Sequence, residues 1–244
     1  MRLENGELRL SASDLGSHLG CDRITALNIQ ASDGRLTPPV FNDPALEALQ
    51  QRGFEHEEEY LDHLEKKGLS VVRLDPEIYG DSAIEATLEA MDAGVGVIAQ
   101  PTLRYGRWFG RADVLLKVEV PSSLGNWSYE IVDTKLSSNT RAATILQLCM
   151  YSDVLGELQG LVPEYMHVVT PESDFLPETY RVTEYLAYYR YVKRDLEENI
   201  DDFKSEKRLT PYPDPVEQCA LCRWRPTCND TWRKDDHLTF VADI

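Results

Sequence analysis

The sequence is poor in positive charge, in cysteine and in long apolar runs. Against 42 Asp and Glu stand only 25 Lys and Arg among 244 residues, so the formal net charge is −17. This balance argues against binding nucleic acid through bulk charge, although a local basic patch remains compatible with it. No stretch approaches the ~18 apolar residues of a membrane helix, so we expect no membrane partner. No apolar run follows Glu4 near the start, so we expect no signal peptide.

The five cysteines are an odd number without a secretory signal: Cys21, Cys149, Cys219, Cys222 and Cys228. Clustered cysteines in a reducing compartment indicate metal binding rather than disulfides, so we expect a cytoplasmic protein. The fractions of apolar residues (42%) and charged residues (27%) are ordinary for a globular domain, which excludes disorder, collagen and coiled coil for the whole chain.

The order of predicted elements indicates an α/β fold with a mixed central β-sheet flanked by helices. Helices are predicted from Ser11 towards Cys21 and over 43–67, 82–93, 140–157 and 183–203. Strands are predicted over 69–74, 95–100, 103–109, 110–120, 127–135, 164–170 and 179–182, with a hairpin loop at 121–126. The inward stripe of helix 43–67 contains Leu46, Leu49, Gly53, His56, Tyr60 and Leu64.

Two predicted strands carry acids among apolar residues. Asp113 is followed at once by Val114, Leu115 and Leu116, and Asp133 and Lys135 are two apart, so they share a face of their strand. Burying a carboxylate is costly unless a charge or a metal compensates it. Two carboxylates and a lysine on neighbouring strands therefore indicate a Mg²⁺ or Mn²⁺ site for phosphoryl chemistry. For each motif taken alone, a salt bridge at a strand end is the alternative.

The order of these motifs resembles the RecB-like branch of the PD-(D/E)xK nucleases over residues 43–170. The motifs are His56, then Gly110-Arg111-Ala112-Asp113, then Asp133-Thr134-Lys135, then Gln147 and Tyr151. The resemblance implies a restriction-endonuclease-like core that hydrolyses DNA with a divalent metal. It implies metal binding by His56, Asp113, Asp133 and the Thr134 carbonyl, catalysis by Lys135, and positioning of the site and the DNA by Gln147 and Tyr151.

His56 also lies on the buried stripe of its helix, and Gly53, one turn earlier, is expected to allow close approach of the sheet. A core histidine with satisfied hydrogen bonds is the alternative to a metal ligand at this position.

The C-terminal cysteines have the spacing of a metal site that lacks one ligand. Cys219 and Cys222 form a C-x-x-C pair and Cys228 follows, so Cys21 is the candidate fourth ligand, whereas Cys149 reads as a buried apolar residue. The arrangement is similar to the iron–sulfur version of these nucleases, which includes CRISPR-associated exonucleases and AddB-type domains. It implies a 4Fe–4S cluster that joins segments 11–25 and 205–235; Zn²⁺ in the same four thiolates is the alternative.

A basic strip precedes and surrounds Asp113. Residues 103–117 hold four bases and one acid, with Arg104, Arg107 and Arg111 interleaved with aromatic residues, a pattern that favours single-stranded DNA. We therefore expect one nuclease domain over 1–244, an exonuclease on single-stranded DNA with partners from DNA repair or CRISPR systems. The alternatives are a DNA-binding or scaffold module attached to a helicase or another nuclease, and an unrelated zinc protein. Because residues 236–244 resemble the start of another segment, we also expect an N-terminal part of a longer protein.

Overall fold

The structure is a computed structural model that describes residues 1–40 and 44–241. The described chain forms two compact units, one made of residues 1–9, 13–40 and 191–241 and the other of residues 10–12 and 44–190. The prediction of a single domain stays a prediction, and its core boundary at residue 43 falls outside the described residues. None of the described helices combines the length and the apolar character that a membrane crossing requires.

The helices and strands follow in a mixed order along the chain. They are β1 (Arg2–Glu4), β2 (Glu7–Arg9), α1 (Ala12–Gly20), α2 (Asp22–Ser32), α3 (Pro44–Lys66), β3 (Val71–Arg73), α4 (Asp81–Asp92), β4 (Val97–Ala99), β5 (Thr102–Tyr105), β6 (Trp108–Arg111), β7 (Val114–Val118), β8 (Ser128–Thr134), α5 (Ala142–Gln159), β9 (Tyr165–Val169), β10 (Glu178–Arg181), α6 (Val182–Lys204) and α7 (Arg225–Lys234).

A six-stranded mixed sheet is the framework of the second unit, which confirms the predicted fold class. Its strand order is β10-β9-β8-β7-β4-β3. Strands β3 and β4 run parallel, as do β8 and β9, and the remaining neighbours are antiparallel. Every residue of β8 is buried, because α3 and α5 both pack against this strand. Asp133, near the end of β8, therefore lies at a covered part of the sheet.

The inward stripe of α3 is confirmed over its second half. Tyr60, Leu61 and Leu64 pack against valines of the sheet and are buried. Leu49, by contrast, is 51% exposed, and the side chain of Leu46 lies outside the description. A methyl group at Gly53 would meet nothing within 4 Å, so the expected close approach of the sheet at this glycine is wrong.

Several local features differ from the prediction, among them the hairpin of β1 and β2, which was not predicted. The break between the third and fourth predicted strands lies at Gly106 and not after Phe109; the φ of +56° at Gly106 turns the chain, so β5 and β6 form a separate two-stranded hairpin. Helix α2 was not predicted, because its buried residues are nearly consecutive from Ile24 to Ile29 and lack a helical period. Helix α7 was also missed; Pro226 in its first turn is compatible with a helix start.

Candidate functional site

Two carboxylates meet where β7 begins and β8 ends. Val114 and Val132 are antiparallel partners, so Asp113, just before β7, lies opposite Asp133 near the end of β8. The Asp113 Oδ2 atom accepts hydrogen bonds from the Thr134 backbone N–H at 2.8 Å and from the Thr134 hydroxyl at 3.1 Å. The two acidic motifs of the sequence are thus joined through neighbouring strands.

Asp133 is almost completely buried, with 1% of its surface exposed. Its Oδ1 atom accepts a hydrogen bond of 3.0 Å from Gln147 Nε2 on α5. Its Oδ2 atom lies 2.6 Å from Lys135 Nζ but accepts no hydrogen bond of normal geometry from the described residues. Burial first, and the charge of Asp113 second, raise the pKa of Asp133. Two carboxylates close together in a covered site are costly, and a bound cation would offset that cost.

Lys135 is held between carboxylates. Burial lowers its pKa, but the charges of Asp133 and Asp113 outweigh burial, so the pKa of Lys135 is raised and the ammonium form is favoured. Its backbone N–H donates to the Val169 carbonyl at 2.9 Å. An ammonium group is therefore fixed beside both acids, where negative charge would develop on a phosphate.

The structure buries His56 beside this network. Its Nε2 atom donates to the same Val169 carbonyl at 3.4 Å, and its ring stacks on Phe175 with the centroids 6.0 Å apart. Since a carbonyl only accepts, the proton is on Nε2, and in the neutral ring Nδ1 is the nitrogen left for a metal. The resemblance implies that His56 is a metal ligand, and this role stays a prediction.

The sequence analysis missed Glu57, the next residue on α3. Glu57 is buried and accepts a hydrogen bond from Gln100 Nε2, and the Gln100 N–H donates to the Asp113 carbonyl at 2.8 Å. Burial and the nearby charge of Asp113 raise the pKa of Glu57 to about 7. Gln100 has a φ of +56°, a strained conformation for a non-glycine residue and one that is typical of functional sites. Helical spacing offered one signal, because Glu57 shares a face with Tyr60, Leu61 and Leu64.

Gln147 and Tyr151 contact the site from the same face of α5. Whereas Gln147 binds Asp133, the Tyr151 hydroxyl donates to the Arg111 carbonyl at 2.7 Å. A methyl group at Gly110 would lie 2.8 Å from Cε1 of Tyr151, so the glycine of the Gly110–Asp113 motif leaves room for this ring. Tyr151 therefore supports the chain immediately before Asp113.

The predicted DNA-binding arginines have partners within the second unit. Arg104 Nη1 forms an ion pair of 2.6 Å with Asp81. Both terminal nitrogens of Arg111 donate at 2.9 Å to backbone carbonyls, those of Pro76 and Ile78. The Arg111 guanidinium also lies 5.3 Å from the ring centre of Tyr79, which is 70% exposed. Arg107 accepts a backbone hydrogen bond from Leu10 N–H at 2.8 Å. Near these arginines, Tyr79 and Tyr105 (53% exposed) both present aromatic side chains to solvent, and Tyr79 is the one that contacts Arg111.

Four cysteines line one cavity in the first unit: Cys21, Cys219, Cys222 and Cys228. All are free thiols. Burial and the nearby thiols of Cys21 and Cys219 raise the pKa of Cys222. Cys149 belongs to the second unit and is buried there, with its Sγ atom 4.0 Å from the Met166 sulfur, which confirms its prediction as a core residue.

Neither group of residues forms a ready-made metal site. Within residues 1–40 and 44–241, no three His, Cys, Asp or Glu side chains are arranged so that they could hold a metal ion. The chemistry of the donors nevertheless fits metals, because carboxylate oxygens suit Mg²⁺ or Mn²⁺ and thiolates suit zinc or iron–sulfur clusters. Asp113 and Asp133 also share the single ammonium group of Lys135, which leaves negative charge that a divalent cation would balance.

Comparison with known proteins finds no protein-family model and no curated protein that matches the chain.

Proposed function

We propose that the chain is a metal-dependent DNA nuclease with a restriction-endonuclease-like core of the RecB-like type, acting as an exonuclease on single-stranded DNA. The observation that carries this proposal is the buried Asp133, which shares one ammonium group, Lys135 at 2.6 Å, with the neighbouring carboxylate Asp113. Two carboxylates beside one ammonium group leave negative charge in a covered site, which is costly unless a cation balances it. This excess of negative charge supports a site for a divalent cation.

The residues that would hold the metal are Asp113, Asp133, His56 and the Thr134 carbonyl, with Glu57 as a further carboxylate. A bound Mg²⁺ or Mn²⁺ supplies Lewis acidity towards a phosphate oxygen and lowers the pKa of a water molecule. The hydrogen bonds of Gln147 and Thr134 fix one oxygen of each aspartate. The Oδ2 atom of Asp133 pairs with Lys135 at 2.6 Å.

Lys135 stabilises the negative charge that develops on the phosphate during hydrolysis. Its ammonium group is held 2.6 Å from Asp133 Oδ2 and beside Asp113, so it does not need to move during the reaction. Such preorganised charge is commonly among the largest contributions to catalysis.

A single strand suits the surface beside the site. Tyr79 presents an exposed ring that rests on Arg111, and Arg111 is two residues from Asp113 in the sequence. Bases of a single strand are free to stack on such a ring, whereas the bases inside a duplex are already stacked. Tyr79 is therefore our candidate for holding the nucleotide next to the cleavage site.

The four cysteines of the first unit would hold a 4Fe–4S cluster, with Zn²⁺ as the alternative. A centre that ties Cys21 to cysteines nearly two hundred residues later would constrain the unfolded chain and so stabilise the fold. Analysis of iron and acid-labile sulfide in anaerobically purified protein separates the two metals.

The nuclease proposal is tested with a labelled single-stranded oligonucleotide and Mg²⁺ or Mn²⁺. We expect cleavage by the unmodified chain, no cleavage with EDTA, and a loss of about 10²–10³-fold in rate for Lys135→Ala, the size found when one preorganised donor is removed. Lys117→Ala is the matched control, because Lys117 lies on Trp127 away from the carboxylates. Equal cleavage rates for Lys135→Ala and Lys117→Ala would refute the assigned role.

A further inference from the structure

Arg23 lies in the first turn of α2, two residues after Cys21. Its Nη1 atom donates to the Pro211 carbonyl. Its Nε atom is buried and has no hydrogen-bond partner among the described residues. Arg23 also lines the same cavity as the four cysteines. A buried guanidinium N–H without an acceptor is costly, so the unpaired donor beside the thiols requires an explanation.

The four cysteines that line this cavity with Arg23 offer sulfur atoms as acceptors. The guanidinium is held in place from the other side, because Nη1 is anchored on the 210–215 loop. Arg23 is thus placed to donate to sulfur rather than to solvent.

We propose that Arg23 donates its Nε–H to a sulfur atom of the metal centre formed by Cys21, Cys219, Cys222 and Cys228, and thereby stabilises the negative charge of that centre. The inference rests on the proposed 4Fe–4S cluster. Four thiolates carry more negative charge than the cluster core compensates, so the centre as a whole is an anion. Hydrogen bonds to sulfur and nearby charge set the reduction potential of such centres.

The other charged residues at the cavity explain why this role falls to Arg23. Arg225 and Asp214 also line the cavity and have opposite charges. Arg225 is exposed, so its charge is screened by water. Arg23 is the cation with a buried, unpaired N–H, and its interaction with sulfur is therefore screened least.

The test compares Arg23→Gln, Arg23→Lys and Arg225→Gln in the full chain purified without oxygen. Because one-electron reduction adds negative charge to the cluster, we expect a more negative midpoint potential in Arg23→Gln and a smaller shift in Arg23→Lys, which keeps the charge but loses the Nε donor. Arg225→Gln removes the same charge at an exposed position and should leave the potential unchanged. We also expect the chelator concentration that removes half of the iron to fall about 10–100-fold in Arg23→Gln, as when outer hydrogen bonds of a metal site are lost.

Iron and sulfide analysis of the unmodified chain tests whether the 4Fe–4S cluster is present, separately from whether Arg23 donates to it. Protein that lacks iron and sulfide would overturn the cluster and the role of Arg23 together. Protein that holds a cluster whose potential is the same in Arg23→Gln would overturn the role of Arg23 alone. The potential is measured only on molecules that retain the cluster. If the variant acts only by losing the structural contact with Pro211, the cluster content falls but the midpoint potential stays the same.

Discussion

At the scale of single residues, the site gathers three carboxylates around one ammonium group. Glu57, Asp113 and Asp133 lie close enough for the charge of Asp113 to raise the pKa of both other acids. Mutual repulsion of buried carboxylates costs stability, so a protein retains such a group where a cation or a reaction needs it. Glu57 therefore belongs with the metal-binding residues, even though the sequence motifs did not include it.

Replacing Glu57 by glutamine tests this assignment. Glu57→Gln keeps the side chain's shape and removes one negative charge, so we expect the apparent affinity for Mn²⁺ to fall about 10–100-fold. The measurement is the Mn²⁺ dependence of strand cleavage, together with the Mn²⁺-induced shift in unfolding temperature.

Glu58→Gln is the matched control for Glu57→Gln. Glu58 is the next residue on α3 but is exposed, and it pairs with Arg73 at 3.2 Å. We expect Glu58→Gln to keep the Mn²⁺ dependence of the unmodified chain. If both variants respond to Mn²⁺ alike, Glu57 is not part of the metal site.

The sequence motifs predicted which residues form the site better than they predicted how these residues are arranged. Asp113, Asp133 and Lys135 could be predicted, because acids inside apolar strands are unusual and their spacing fixes which face they occupy. Glu57 stands among Glu55, Glu58 and Glu59, a run that reads as a solvated face. Its hydrogen bond with Gln100, which follows β4, is a long-range contact that local sequence does not predict, so its helical spacing to Tyr60 and Leu64 was the one signal of its burial.

At the scale of secondary-structure elements, periodicity predicted the long helices to within about two residues. Helices α3, α4, α5 and α6 each have a regular inward stripe or clear terminal residues, and their bounds match those expected. Helix α2 was missed because its burial follows no single stripe. The strand break at Gly106 was missed because apolar and aromatic residues continue across it, so only the backbone conformation marks the turn.

Substitution by alanine is expected to have opposite effects at Gly110, which faces Tyr151 of α5, and at Gly53 of α3, which faces open space. In Gly110→Ala, the new methyl group would lie 2.8 Å from the Tyr151 ring, so we expect a loss of about 1–3 kcal/mol in the free energy of unfolding. In Gly53→Ala, the methyl group meets nothing and α3 gains a better helix former, so we expect a gain of about 0.5–1 kcal/mol.

Urea unfolding of both glycine variants measures these changes, and strand cleavage shows whether the displaced Tyr151 disturbs the chain before Asp113. A Gly110→Ala protein as stable and active as the unmodified chain would show that Tyr151 does not need this space. A destabilised Gly53→Ala protein would show that α3 has a close neighbour at Gly53 after all.

At the scale of the whole molecule, the net charge of −17 disfavours binding of the proposed substrate, DNA, which is also negatively charged. An acidic surface repels phosphates, and Arg104 and Arg111 are already engaged with Asp81 and with backbone carbonyls. Ionic contacts can therefore supply only a small part of DNA affinity. Stacking on an exposed ring such as Tyr79 does not depend on net charge, so it can supply much of the remainder.

The ionic and stacking contributions to DNA affinity can be separated by salt. We measure the binding of a labelled single strand at several salt concentrations, with EDTA present to prevent cleavage. We expect a shallow dependence, with a slope of roughly −2 in the plot of log affinity against log salt, because each neutralised phosphate of a single strand contributes about −0.7. Tyr79→Ala should weaken binding by about 1–3 kcal/mol, the usual contribution of one stacked base. It should leave the slope unchanged, because the tyrosine side chain carries no charge.

Tyr188→Ala is the control for the loss of an exposed aromatic ring, since Tyr188 on α6 is 51% exposed. We expect this variant to bind the strand as the unmodified chain does. If the plot of log affinity against log salt has a slope several times steeper than expected, many phosphates are neutralised, and the affinity is ionic in spite of the acidic surface. Equal affinities for Tyr79→Ala and Tyr188→Ala would exclude Tyr79 from the path of the strand.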